Sequence, residues 1–206
     1  ASSLLTFADG QSIATTTFTV TDDALVELLT EFATITISNP TLGLAVGPTA
    51  SQTIAITDND SAAFTIDNVI VTEGSSGPTD AIFTVTLNNA VDTTVTLDYL
   101  AGDDTATAAD GDFAAANGQL TFAPGAAGAT QTITISVTGD QKVELNEMFN
   151  LNLSNVAAGG RSVTIADNQG LATITDDDTA TVSVLDVAAV EGDTGTTVFN
   201  VTVALS

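Results

Sequence analysis

The sequence predicts an all-β chain of tandem immunoglobulin-like β-sandwiches, and three observations carry that prediction. Apolar and polar residues alternate at period two, Thr and Val dominate the alternating runs, and two stretches recur at one fixed offset. Thr57-Asp58-Asn59-Asp60-Ser61-Ala62-Ala63-Phe64 returns as Thr175-Asp176-Asp177-Asp178-Thr179-Ala180-Thr181-Val182, and Val71-Thr72-Glu73-Gly74 returns as Ala189-Val190-Glu191-Gly192. Both copies lie 118 residues downstream, Asp58 to Asp176 and Glu73 to Glu191. A shared period in otherwise diverged sequence marks tandem structural units.

Element by element, Leu5-Thr6-Phe7, Phe18-Thr19-Val20 and Ile35-Thr36-Ile37-Ser38-Asn39 overlay Leu120-Thr121-Phe122, Ile135-Ser136-Val137 and Leu151-Asn152-Leu153-Ser154-Asn155. Residues 1–60 therefore read as the second half of a unit. Residues 61–178 read as one complete unit, in which Phe83, Val85 and Leu87, then Val95, Leu97 and Tyr99, then Ile133, Ile135 and Val137, then Phe149, Leu151 and Leu153 each alternate with polar neighbours. Gly74-Ser75-Ser76-Gly77-Pro78, Pro124-Gly125 and Gly159-Gly160 supply turn chemistry between the runs. About seven strands suit a sandwich whose two sheets cover each other's apolar faces. Residues 179–206 read as the first two strands of the next unit. Neither junction, Asp60-Ser61 or Asp178-Thr179, has a flexible Gly/Ser spacer, so consecutive units are expected to meet stiffly. The nine Phe and Tyr99 read as core residues.

Charge narrows the function. The 206 residues carry 26 acidic and 2 basic side chains, Lys142 and Arg161, for a formal charge of −24. Nucleic acid and anionic membranes are repelled by such a chain, and cations attracted. No apolar stretch of 18 or more residues occurs, so no membrane insertion is expected, and no signal peptide is visible. With no Cys and no His, nucleophilic triads are gone. A Ser-Lys dyad would have to use Lys142, and with no Trp and one Tyr there is little to hold a sugar ring, so the chain is read as non-enzymatic.

Eight acids of the complete unit fall at strand ends that one pole of a sandwich can gather. They are Glu73, Asp112, Asp140, Glu144, Glu147, Asp176, Asp177 and Asp178, with Asp110 as the alternative to Asp112. Two like charges 5 Å apart cost about 3 kcal/mol at an effective dielectric near 20, so either these carboxylates bind cations or they do not converge. Calcium fits best, because it takes six to eight oxygens in loose geometry, and eight negative charges suggest two or more ions. Asp80, Asp92, Asp98, Asp103, Asp104 and Asp167 read as solvated surface acids.

Val-x-Glu-Gly, Gly-Asp-Phe, Asp-x-x-x-Glu-x-x-Glu-x-Phe and a terminal Asp-Asp-Asp, in that order, resemble the Calx-beta domain. That family is known as the cytosolic calcium-sensing module of sodium/calcium exchangers and as tandem repeats in large bacterial surface and secreted proteins. The resemblance covers the complete unit and both partial ones, and implies that the eight acids fall on calcium-ligand positions. It also shows a departure, Gly139 standing where the exchanger-like pattern has a second acid. In the first partial unit Asp22, Asp23, Glu27, Glu31, Asp58 and Asp60 take matching places, with Glu27 and Glu31 spaced one residue further apart and Asn59 inside the triplet; Glu191 stands in for Glu73 in the last.

The expected function is a calcium-binding structural or adhesive repeat of a large extracellular surface protein or filament, with calcium stiffening the junctions. A calcium sensor and a cadherin-like adhesion array are the alternatives. Because the end pieces are half-sandwiches, they are expected to be completed by neighbouring repeats or by head-to-tail self-association, Glu191 of one chain sharing an ion with Asp23, Glu31, Asp58 and Asp60 of the next.

Overall fold

The computed structural model describes residues 3–125 and 127–206; Ala1 and Ser2, at the start of the first expected unit, and Ala126 lie outside them. All regular structure among the described residues is β: β1 (Thr30–Thr36), β2 (Ser51–Thr57), β3 (Ala62–Ile66), β4 (Val69–Thr72), β5 (Gly77–Leu87), β6 (Val95–Asp103), β7 (Asn117–Phe122), β8 (Ala129–Gly139), β9 (Glu147–Ala157), β10 (Val163–Ile165), β11 (Gln169–Thr175), β12 (Val182–Val184) and β13 (Val203–Leu205).

Strands β3 to β11 form two sheets, β10-β3-β5-β8 and β4-β11-β9-β6-β7. Nine strands thus occupy the region where about seven were expected. One extra strand arises because the first apolar run is split: β3 pairs antiparallel with β5, and after Asp67-Asn68 the chain crosses to pair β4 parallel with β11. The hinge is pinned to both sheets. Thr84 N donates to Asp67 Oδ1 at 2.6 Å, and Leu171 N donates to Asn68 Oδ1 at 2.7 Å.

Period two holds where the sequence shows it. Phe83, Val85 and Leu87 on β5, Val95 and Leu97 on β6, Ile133, Ile135 and Val137 on β8, and Phe149, Leu151 and Leu153 on β9 are all buried between the sheets. Phe149 stacks on Phe113 at 4.3 Å between centroids and meets Phe83 edge-on at 6.1 Å. Each such side chain contributes about 1.5–3 kcal/mol on burial.

The ends differ. Leu5–Phe7 and Phe18–Val20, expected as strands, form no regular strand. Phe7, Phe18, Phe32 and Phe199 are exposed, a correction to their reading as core residues: among the described residues no second sheet packs over them. The pairings that do form keep the central register. β12 sets Val182 opposite Leu205 and Val184 opposite Val203, as β3 sets Phe64 opposite Leu87 and Ile66 opposite Val85.

Candidate metal centre

The topology gathers the acidic loops. β4 and β11 run parallel and both end at one pole; β9, antiparallel to β11, begins there; β6, antiparallel to β9, ends there. β8 ends beside the start of β5, Gly139 opposite Gly77. Glu73 directly follows β4, Asp140 and Glu144 lie in the β8–β9 loop, Glu147 opens β9, and Asp176 to Asp178 follow β11. Asp112 lies in the β6–β7 connection.

At the centre is Glu73, only 6% exposed and the one charged residue in the buried interior among the described residues. Its carboxylate and those of Asp176 and Asp178 each place an oxygen within 4.8 Å of the others. Burial, reinforced by the negative charges of Asp176, Glu144, Asp140 and Asp178, pushes Glu73 up to about 7. Asp178 Oδ2 is buried without a hydrogen-bond partner, a costly arrangement for a charged oxygen unless something else meets it.

Short side-chain-to-backbone bonds set the loops. Asp178 N donates to Asp176 Oδ1 at 3.1 Å, Glu144 N to Asp176 Oδ2 at 3.1 Å, and Lys142 N to Asp140 Oδ1 at 2.6 Å. Asp176 therefore ties the β8–β9 loop to the end of β11. Asp177 is exposed, but its Oδ1 accepts from Gly74 N at 3.0 Å, fastening the triplet to the turn after Glu73. A second group lies alongside: burial and the charges of Asp112 and Glu144 raise Glu147. Asp112 is held by Thr107 N, 2.7 Å from its Oδ2, whereas Asp110 bonds the Thr107 hydroxyl at 3.0 Å. Glu144 adjoins both groups and pairs with Lys142, the cation set among the acids. All eight acids thus lie on loops and strand ends of one pole, and of them Glu73, Asp176 and Asp178 are brought within 4.8 Å of one another.

Gly139 has a steric reason. A Cβ there would stand 2.1 Å from Gly74 O and 2.5 Å from Glu73 O, so no acid fits at this position while β8 packs on the Glu73 turn.

The amino-terminal acids repeat the frame. Leu25 N donates to Asp23 Oδ1 at 2.9 Å, Glu27 N to Asp58 Oδ2 at 2.9 Å, and Asp60 N to Asp58 Oδ1 at 3.1 Å, the same three bonds as in the complete unit. Glu31 lies opposite Ile56, as Glu147 lies opposite Ile174, so the one-residue difference in spacing is absorbed before the strand. These acids line an open depression with Asp22, Asn59 and Thr57, and burial with neighbouring acids raises both Glu27 and Asp60. Glu191, at the other end, is exposed and apart from them, its carbonyl bonded by the Thr197 hydroxyl as that of Glu73 is by Thr79.

Sequence reading missed one ionic contact. Asp92, taken for a solvated acid, accepts from Arg161 Nε at 2.7 Å and Nη2 at 2.8 Å, which holds its carboxyl below the usual range. Asp98 and Asp103 also accept hydrogen bonds, from Gln119 and Asn155 and from Ala108 N. That only two cations occur in the chain was the available signal.

The family model of the Calx-beta domain matches residues 1–60 and 62–186. No curated protein matches the chain. Among solved structures, the apo-form Calx CBD1 domain is 24% identical, with 58% of this chain and 100% of that one covered and a TM-score of 0.49. CBD12 from CALX1.2 is 26% identical over 56% of this chain and 46% of its own, with a TM-score of 0.49. The calcium binding domain CBD12 of CALX1.1 is 24% identical over 56% and 44%, with a TM-score of 0.46. This chain thus spans less than half the length of either CBD12.

Proposed function

Since the chain belongs to the Calx-beta domain family, we propose that it is a calcium-binding structural or adhesive repeat segment of a large extracellular surface protein or filament, with calcium stiffening the junctions between units. The observation that carries this reading is the buried Glu73 beside Asp176 and Asp178, with Asp178 Oδ2 lacking any partner. Such a group is stable as an ionised set only beside a cation.

The donors fit calcium. They are all oxygens, with no His or Cys to favour zinc, and they are numerous enough for a six- to eight-coordinate ion. Glu73, Asp140, Glu144, Asp176 and Asp178 would hold one ion, and Glu144, Glu147 and Asp112 would hold another. Asp177, engaged by Gly74 N, would serve by positioning the triplet. The role is binding rather than catalysis. The family also includes calcium-sensing modules, and the missing spacers at Asp60-Ser61 and Asp178-Thr179 favour the structural reading here.

The end segments carry complementary parts of a second pole: Asp23, Glu27, Glu31, Asp58 and Asp60 in one, Glu191 in the other. A neighbouring repeat, in the same chain or in a second copy joined head to tail, would supply what each lacks. Sedimentation with and without calcium tests the second-copy form, which a concentration-independent monomer would exclude.

Thermal unfolding tests the main proposal. Calcium bound only by the folded state adds RT ln(1 + [L]/Kd) to stability, so chelation should lower the melting temperature and calcium restore it, with magnesium a poor substitute. A melting curve indifferent to chelator would overturn the reading.

A further inference from the structure

The contact between the amino-terminal segment and the complete unit is made by a tripeptide that occurs twice. Val26-Glu27-Leu28 and Val143-Glu144-Leu145 are identical, and each follows an aspartate, Asp23 or Asp140, at the same distance. The first copy is docked. Val26 is fully buried in the core of the complete unit beside Val91; its N–H donates to Ala90 O at 2.9 Å and its carbonyl accepts from Asp92 N at 3.1 Å. Leu28 bridges to Arg161 and lies against Gly160. Arg161, locked by both oxygens of Asp92 and by Gly159 O at 2.9 Å, forms the rim of this socket.

The socket lies at the pole opposite Glu73, between the β5–β6 loop and the turn that follows β9. The second copy lies at the acidic pole itself, and there it has no cover: Val143 is 51% exposed and Leu145 86%. It is nonetheless set in the docked shape, since Lys142 N and Glu144 N make the bonds to Asp140 and Asp176 that Leu25 N and Glu27 N make to Asp23 and Asp58. The same tripeptide in the same shape buries its valine completely at one site and exposes it at the other, which marks the second copy as a surface with a ready-made counterpart. We propose that Val143 to Leu145 is a docking plug for a further unit of the same repeat following Asp178, inserted between that unit's equivalents of Val91 and Arg161, so that each unit's acidic loop plugs the far pole of its successor.

The residues corresponding to Val91 and Arg161 in such a unit would fall after Ser206. Metal binding is not needed for this proposal, so its test can be read in chelator and stands apart from the calcium reading. The chain has no Cys, so one introduced thiol is a unique probe. In the present chain, Val26→Cys should be alkylated at least about tenfold more slowly than Val143→Cys, because it must wait for the docked segment to open. In a chain extended after Asp178 by a second copy of residues 61–178, Val143→Cys should slow by a similar factor. Val91→Asp in the appended copy should restore the fast rate, and the milder Arg161→Ala there should restore part of it. Equal rates for Val26→Cys and Val143→Cys in the present chain, an unchanged Val143→Cys rate in the extended chain, or a slowed rate that neither socket variant relieves would each overturn the proposal.

Discussion

The acidic pole of the complete unit and that of the amino-terminal segment share three hydrogen bonds from backbone N–H groups to aspartate side chains and differ above all in one buried residue. Asp176 and Asp58 each bond the loop glutamate's N–H and the N–H two residues on. Only the complete unit adds a buried Glu73, which arrives on β4 from the other end of the unit's sequence. Local turn chemistry therefore builds the loops without a finished sandwich, as expected of short Asp-mediated bonds. The buried acid needs the sandwich. It is the sheet-switching first strand that turns an acidic rim into a cluster with an unmet oxygen.

The largest break between the two poles should come from metal removal. At 100 Kd of calcium a bound ion adds about 2.7 kcal/mol, so chelation should lower the melting transition of the complete unit by roughly 10 °C or more while barely moving signals from residues 23–60. Differential scanning calorimetry with amide exchange distinguishes them, and equal shifts in both would show the two poles to be equivalent.

Asp176→Ala combined with Asp178→Ala should remove most of that calcium increment. Asp80→Ala with Asp104→Ala is the fitting control, because Asp92 and Asp103 are held by short bonds at 2.7–3.0 Å whereas Asp80 accepts only a 3.4 Å contact from the Ser136 hydroxyl. Equal losses from both pairs would mean that general acidity holds the metal.

Acidity sharpens the contrast next. Glu73 has a folded-state pKa near 7, above its unfolded value, so between about pH 4.5 and 7 the folded state binds more protons than the unfolded one. In chelator, stability should be fullest below about pH 4.5 and fall as pH rises through 7, by on the order of 3 kcal/mol at most. Glu73→Gln should flatten that slope and raise the chelated melting point at neutral pH while weakening calcium binding. A slope unchanged by Glu73→Gln would assign it to other acids.

The smallest effect belongs to the junction. Arg161→Ala should leave the calcium increment intact and lower the melting point least of these variants, through loss of a part-exposed pair that also leaves Asp92 without its donor. Amide exchange at Val26 should rise with it.

Much of the central unit is legible in the sequence because its strands bury one face, so alternation along Phe83–Leu87 or Phe149–Leu153 reports burial directly. Repetition marks Glu73, Asp176 and Asp178 through their copies at Glu191, Asp58 and Asp60, and these three lie together in the structure. Contacts between units are not. Val26 is one of several apolar residues in the run Ala24-Leu25-Val26-Glu27-Leu28-Leu29, and which of them is buried is decided by Val91, far along the chain, just as Asp92 acquires its partner from Arg161 across the far pole. At the ends, period two in Leu5–Phe7 and Phe18–Val20 states which face wants cover; it cannot provide the sheet that gives it.

The switch of the first strand between sheets also has a mechanical meaning. A chain pulled along its length would load this unit at Ser61, where β3 begins, and at Asp178, after β11, on opposite poles, so the part of the pull that passes through β3 into β4 opposes the pull on β11 along a parallel pair. The bonds from Val69–Thr72 to Ala172–Thr175, and the Thr72–Thr175 hydroxyl contact at 3.0 Å, then lie across the force and must give way together instead of unzipping singly. Cations joining Glu73 to Asp176 and Asp178 would rivet that same pair at its end. Pulling single molecules should therefore show a higher rupture force in calcium than in chelator.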